Sequence, residues 1–94
     1  MDIIKAVKQS QHQHAVEWAR ETNCIDDNKF VESNGATTYT IAKLLNVSVD
    51  RARQLLNKEH KNGSICKSKN NAGRYCLWWP NGYLKEINAT NTQE

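Results

Sequence analysis

Apolar positions in the first quarter of the chain recur at the spacing of a helix. Together with one histidine, they are Ile3, Val7, His14, Ala15, Trp18 and Ile25, and no glycine or proline interrupts residues 3–22. The spacing predicts a helix within residues 3–22. Because residues 8–14 are polar, two alternatives are open: a helix over the whole range, or a frayed start followed by a shorter helix over residues 12–21. We expect the second half to be the part that packs.

Two further segments carry weaker patterns. Residues 23–36 mix turn-forming residues, among them Asp26 and Asp27, with the apolar Ile25, Phe30 and Val31, which predicts a connection with one short helical turn. Residues 88–94 are polar and lack aromatic side chains, which predicts a disordered tail. A length of 94 residues fits a single domain over residues 1–87 and is too short for a second core.

The pattern over residues 38–59 predicts two short helices joined by a tight turn. Apolar residues stand where two crossing helices fill a shared core, and one small residue stands where the helices pass closest: Ile41, Leu45, Val47, Ala52, Leu55 and the small Ala42. Asn46 tolerates the left-handed backbone that such a turn requires. Ser48 is an N-cap residue, so the second helix is predicted over residues 48–59.

A β-hairpin is predicted over residues 64–79. Gly63 ends the preceding helix, residues 69–73 are rich in turn residues, and Pro80 ends the returning strand. If the hairpin is symmetric about Asn71, Cys66 and Cys76 face each other. Two alternatives then exist, a redox-sensitive pair or buried inert thiols, and the second is favoured because no neighbouring group acidifies either thiol.

The adjacent Trp78 and Trp79 lie in the second strand of this hairpin. Neighbouring side chains in a strand point to opposite faces, so we expect only one of them to join the core. The other is expected to cover the edge of the N-terminal helix, with stacking on a base or binding to a partner as the alternative.

Charge is segregated along the chain. The formal net charge is +3, yet residues 39–85 hold nine basic side chains against two acidic ones, whereas residues 1–38 hold four basic and six acidic. A basic half beside an acidic half indicates that the basic half faces a polyanion.

The order of helix, turn, helix, glycine stop and basic hairpin resembles the winged helix-turn-helix superfamily. More narrowly, residues 38–79 are similar to the small fimbrial-operon, phase-variation transcription regulators of enterobacteria. The matching motifs are Thr38-x-x-Ile41-Ala42, Val47-Ser48, Ala52-Arg53 and Tyr75-x-x-Trp78. The resemblance implies an α+β fold, mainly α, with three or so helices and a C-terminal β-hairpin wing. It also implies a sequence-specific regulator of bacterial or phage type that binds double-stranded DNA.

In that reading the second helix enters the major groove and the wing contacts the backbone or the minor groove. The outward-facing residues of the helix are the base-reading candidates: Val49, Asp50, Arg51, Arg53, Gln54 and Asn57. Residues that could hold phosphates are Thr38, Thr40, Lys43, Lys58, Lys67, Lys69, Asn70 and Arg74. The two threonines have helix capping as an alternative role.

Other classes of function find little support in the sequence. Paired carboxylates, a nucleophile with a base, and a phosphate-binding glycine loop are missing, so we expect no enzyme and no cofactor. The three cysteines form no CxxC pair, and His12 and His14 face different sides of a helix, so no metal site is expected. Without an apolar span or signal-peptide pattern, a cytoplasmic location away from membranes is expected.

The principal alternative is a winged helix used as a protein-interaction module, an accessory or inhibitory factor that binds a protein instead of DNA. Its contact surface would be the acidic N-terminal region together with the tryptophan that stays outside the core. A homodimer through the N-terminal helix is a further possibility, because two subunits could then match a palindromic site.

Overall fold

The computed structural model describes residues 2–70 and 75–91, and these form five helices and three strands. The elements in chain order are α1 (Ile3–Thr22), α2 (Asp27–Asn34), β1 (Ala36–Thr37), α3 (Thr38–Leu45), α4 (Val49–Lys61), β2 (Ile65–Asn70), β3 (Tyr75–Pro80) and α5 (Tyr83–Asn91). The predicted fold class, mainly α with a C-terminal hairpin, is confirmed. Two helices beyond the expected three, α2 and α5, extend it.

Three antiparallel strands form one sheet in the order β1-β3-β2. In the hairpin Lys69 pairs with Cys76, and Cys66 pairs with Trp79. The predicted facing of Cys66 and Cys76 is therefore wrong by three residues. The reason is that the pairing of residues 65–70 with residues 75–80 is not symmetric about Asn71.

Cys66 is buried, as the favoured alternative predicts, whereas Cys76 is only half-buried. The Sγ–H of Cys66 donates to the carbonyl oxygen of Trp79 at 3.1 Å. Burial, reinforced by the negative charge of Asp27, raises the pKa of the Cys66 thiol to about 12. The three cysteines are all unbridged, so the reading of Cys66 and Cys76 as a redox pair has no structural basis.

Both tryptophans of β3 are fully buried, on opposite faces of the sheet. Trp78 packs in a cluster that includes Val7, Ile41 and Leu56, whereas Trp79 packs with Phe30 in a second cluster. The expectations of one core and one buried tryptophan are wrong. The strand β1 makes β3 the central strand, and α2 and α5 cover the face that the sequence left open.

The helix α1 serves both clusters. It spans the whole predicted range, with non-helical backbone angles at Gln11 (φ −130°, ψ 18°). On one side of this kink Ile3 and Val7 join the Trp78 cluster, and on the other Ala15 and Ala19 join the Trp79 cluster. The full-length alternative is confirmed, and the expectation that only the second half packs is wrong.

The Asp27 carboxylate ties α2 to β3 and α5. Its Oδ1 accepts from Trp79 Nε1 at 2.7 Å and from the Leu84 backbone N–H at 3.3 Å, and its Oδ2 accepts from the Gly82 N–H at 2.9 Å. Asp27 is the first residue of a two-turn helix capped by the Asp26 side chain, not part of a turn. These long-range bonds hold the start of a helix that is longer than the single helical turn predicted from the sequence.

The helix α5 replaces part of the expected disordered tail. It continues through residues 88–91, and residues 92–94 lie outside the described ranges. Leu84 and Ile87 are buried in the Trp79 cluster. Two apolar residues three positions apart are too short a pattern to predict a helix, so its packing partners are what reveal it.

Candidate nucleic-acid interface

The central helices meet through the turn that the sequence predicts. Asn46 has left-handed backbone angles (φ 56°, ψ 48°) and ends α3. Ser48 caps α4, because its Oγ accepts from the Arg51 N–H at 3.1 Å. Val47, in contrast, is 37% exposed. Its predicted place in the shared core is wrong, because the turn after Asn46 leaves its side chain at the surface.

The helix α4 buries one side and exposes a polar face on the other. Ala52 and Leu56 are fully buried, and Leu55 is half-buried. Polar and charged side chains cover the exposed face: Asp50, Arg51, Arg53, Gln54, Asn57 and Lys58. Val49, the first residue of α4, is half-buried beside them. The base-reading candidates thus share one accessible surface, apart from the partial burial of Val49.

An ion pair fixes part of this face. Arg53 Nη1 donates to Asp50 Oδ1 at 2.7 Å, with the two side chains 51% and 86% exposed. An exposed pair of this kind contributes only about 0–1 kcal/mol to stability. Its main consequences are to orient the guanidinium group and to place one negative charge within a face that is otherwise basic or neutral.

Lys67 and Lys69 of β2 lie on the same side of the sheet as α4. Lys67 pairs with Trp78, and its Nζ lies 5.1 Å from the centroid of the indole ring. The His60 ring of α4 packs edge-on near the same indole, with centroids 6.4 Å apart. Alternate side chains share a strand face, so Lys69 follows Lys67. Lys69 is exposed and Lys67 half-buried.

Not every predicted phosphate contact is available. Thr38 is only 9% exposed, and its hydroxyl accepts from Trp78 Nε1 at 2.9 Å. Its predicted role as a phosphate ligand is therefore wrong, because the hydroxyl is committed to the core. Thr37 is the N-cap of α3 instead, and its Oγ1 accepts from the Thr40 N–H at 3.2 Å. Three threonines within four positions do not tell from sequence which of them turns inward.

The remaining candidates divide by position. Thr40 and Lys43 are exposed on α3, and Lys58 is exposed on α4. Arg74 lies outside the described residues, as does the side chain of Asn70.

Two exposed aromatic residues beside this surface were not among the predicted DNA-binding residues. Tyr39, in the first turn of α3, is 65% exposed, and Tyr75, at the start of β3, is 50% exposed. Lys43 Nζ lies 5.9 Å from the centroid of the Tyr39 ring. A signal was present, since Tyr39 falls outside the buried stripe of its helix, but an aromatic residue in an apolar stretch is ordinarily assigned to a core.

The helix-turn-helix with a β-hairpin packed beside it is a winged helix-turn-helix fold. No family model matches the sequence, and no curated protein sequence matches it. Among solved structures, a mutant of MepR from S. aureus is similar at a TM-score of 0.47 and 14% identity, over 95% of this chain and 71% of that one. A TM-score below 0.5 does not establish a shared fold, so the fold assignment rests on the helices and strands described above.

Within the described part of the chain, none of the helices combines the length and apolar character needed to cross a bilayer. Nor do residues 2–70 and 75–91 bring together three or more histidine, cysteine, aspartate or glutamate side chains in an arrangement that could hold a metal ion.

Proposed function

We propose that this chain is a sequence-specific, double-stranded DNA-binding transcription regulator, with α4 in the major groove and the hairpin on the backbone. The observation that carries the proposal is the shared surface of α4 and β2. Arginine and amide side chains cover the exposed face of α4, and Lys69 lies on the same side of the sheet. A surface that combines hydrogen-bonding donors with positive charge suits a groove lined by phosphates.

The exposed face of α4 supplies the groups that distinguish bases. Arginine pairs bidentately with guanine, and glutamine or asparagine pairs with adenine, each good pair contributing about 1–3 kcal/mol of discrimination. Arg51, Arg53, Gln54 and Asn57 are the proposed readers. Asp50 orients Arg53 and is suited to accept a hydrogen bond from a cytosine amino group.

Phosphate contacts are proposed for residues that flank this face. They are Thr40, Lys43, Lys58, Lys67 and Lys69, together with Asn70 and Arg74 on the sequence argument alone. Such contacts position the protein on the duplex without selecting a sequence. A bacterial or phage origin and a cytoplasmic location belong to the same proposal.

The helix α1 leaves little apolar surface exposed for a homodimer interface. Ile3, Ala6, Val7, Ala15 and Ala19 are all buried within the chain. We therefore expect any pairing to be weak in solution and to form on a two-fold-symmetric site, which light scattering with and without such a duplex tests. A molar mass of two chains in the absence of DNA would contradict this expectation.

The alternative of a protein-only module loses one of its two supports. It relied on a tryptophan left outside the core, and both Trp78 and Trp79 are fully buried. The acidic residues of α1 and α2 remain its other support, so this alternative is an outcome of the experiment below.

Fluorescence anisotropy of the protein against labelled duplex DNA, across a salt series, tests the proposal. Binding is expected to weaken steeply with salt, because bound lysines and arginines displace counterions. Lys69→Ala is expected to remove one phosphate contact. The slope of the logarithm of the binding constant against the logarithm of salt concentration should then decrease in magnitude by about 1. Arg53→Ala is expected to reduce the preference for a selected sequence by about 1–3 kcal/mol.

Matched controls separate these effects from a general loss of charge. Lys29→Ala on α2 and Arg20→Ala on α1 remove exposed basic side chains from the acidic half of the chain, and both should leave binding unchanged. Equal losses in the controls would contradict the assigned surface. No binding to any duplex at low salt would reject the proposal and favour a protein partner.

A further inference from the structure

A shallow depression opens beside the start of α4. It is lined by residues 37–39, by Val49 and Arg53 of α4, and by Tyr75 and Cys76 of β3, with a volume of about 350 Å³. It therefore lies where the turn-linked helices and the hairpin meet, and all three parts of the proposed DNA-binding surface contribute to it.

The depression has an apolar wall next to a positive rim. Val49 is half-buried and Tyr39 is 65% exposed, although burying either side chain fully would be favourable. Arg53 lines the depression and is paired with Asp50, whereas Lys43 lies outside the lining, with its Nζ 5.9 Å from the centroid of the Tyr39 ring. The apolar wall disfavours a strongly hydrated group, whereas the cations attract a polyanion.

Val49 is the first residue of α4. This position determines which part of a bound duplex the apolar wall of the depression would contact. In helix-turn-helix proteins the first residues of the recognition helix contact base edges in the major groove. The apolar group that an unmodified base presents there is the C5 methyl of thymine. The polar edges of guanine, adenine and cytosine would lose hydration against the valine side chain and the tyrosine ring, neither of which offers a conventional hydrogen bond.

We infer that this depression receives the C5 methyl group of a pyrimidine base, with Val49 and Tyr39 as its contact residues. The inference rests on the proposed DNA-binding function and adds a specificity element to it. Thymine and 5-methylcytosine carry the same methyl group, so the chemistry is shared and the experiment separates the two sources. Hydrogen-bonding readers on α4 and this apolar contact would select different positions of one site.

The test uses a duplex chosen for tight binding from a random pool. Each thymine is replaced in turn by uracil, which removes only the methyl group, and each cytosine by 5-methylcytosine, which adds one. For the parent protein, one or two positions are expected to change affinity about fourfold, the effect of one buried methyl-sized group. In Val49→Ala and in Tyr39→Ala the response at those positions should fall below about twofold, as expected when one side of an apolar contact is removed.

Val47→Ala is the matched control. Val47 lines a neighbouring groove that shares Tyr39 and Val49 with the depression, but Val47 itself does not line the depression. The parent's methyl response should persist in this variant. Circular dichroism of each variant establishes that it is folded, and Tyr39→Ala covers the case in which Val49→Ala unfolds, because Tyr39 is mostly exposed.

The outcomes separate the inference from the function on which it rests. A response on the uracil arm assigns thymine, and a response on the methylcytosine arm alone assigns a modified cytosine. Either one, lost in Val49→Ala, supports the inference. Sequence-specific binding with no methyl response, or a response lost in Val47→Ala instead, overturns the inference and leaves DNA binding standing. Failure to bind any duplex rejects the proposed function itself.

Discussion

Replacing Asp27 with alanine tests whether one carboxylate joins α2, β3 and α5. The carboxylate accepts from the indole N–H of Trp79 and from the backbone N–H groups of Gly82 and Leu84. Trp79 is fully buried, so the substitution would leave its Nε1–H without the acceptor that Asp27 provides. The backbone N–H of Gly82 lies in an exposed turn and can be hydrated instead.

The magnitude follows from these surroundings. An unsatisfied buried donor costs about 1–3 kcal/mol, and each of the more accessible bonds contributes about 0.5–1 kcal/mol. Asp27→Ala should therefore lower the free energy of unfolding by about 2–5 kcal/mol, a large share of the roughly 5–15 kcal/mol typical of a domain. Asp27→Asn should have a smaller effect, because an amide oxygen in the place of Oδ1 can still accept from Trp79 Nε1 and the Leu84 N–H, and only the bond from the Gly82 N–H is lost.

Urea unfolding followed by circular dichroism at 222 nm at pH 7 measures this change. Glu32→Ala is the matched control, since Glu32 is an exposed acidic residue on the same helix, and it should stay within about 0.5 kcal/mol of the parent. If Asp27→Ala is as stable as the control, the carboxylate does not hold these elements together and the account of α5 is wrong.

Three further predictions follow. At pH 8 Cys66 should react with iodoacetamide far more slowly than the half-buried Cys24, because burial raises the pKa of its thiol; equal rates by mass spectrometry would contradict that burial. Gly35→Ala should cost about 1–3 kcal/mol in thermal unfolding, because a β carbon would lie 2.7 Å from Val31 Cγ2, and an unchanged Tm would refute the clash. Asp50→Ala should tighten binding to a non-cognate duplex, because it removes a negative charge and frees Arg53 from its ion pair. The ratio of affinities between a selected and a non-cognate duplex should therefore decrease. Unchanged anisotropy with both duplexes would contradict this.

Local signals made the central helices predictable. Asn46 and Ser48 end and begin helices through contacts within three or four residues, so sequence alone placed the turn. The residues exposed on α4 followed from the same helical phase. What local signals determine in this chain is therefore the helix-turn-helix and the composition of its outer face.

Long-range contacts account for what the sequence missed. The strand β1 has two residues, and its pairing with Trp78 and Leu77 is set by tertiary packing. That pairing makes β3 central and buries both tryptophans. The inward turn of the Thr38 hydroxyl likewise depends on a residue 40 positions away, Trp78. No periodicity within a short window reports such partners.

The central claim is that duplex DNA binds the surface shared by α4 and β2. The most direct measurement follows the amide chemical shifts of ¹⁵N-labelled protein while a duplex to which it binds is added. We expect changes concentrated in residues 39–43, 49–58 and 65–69, with little effect on the exposed acidic residues of α1 and α2. Changes confined to α1 and α2, or none at low salt, would contradict the claim.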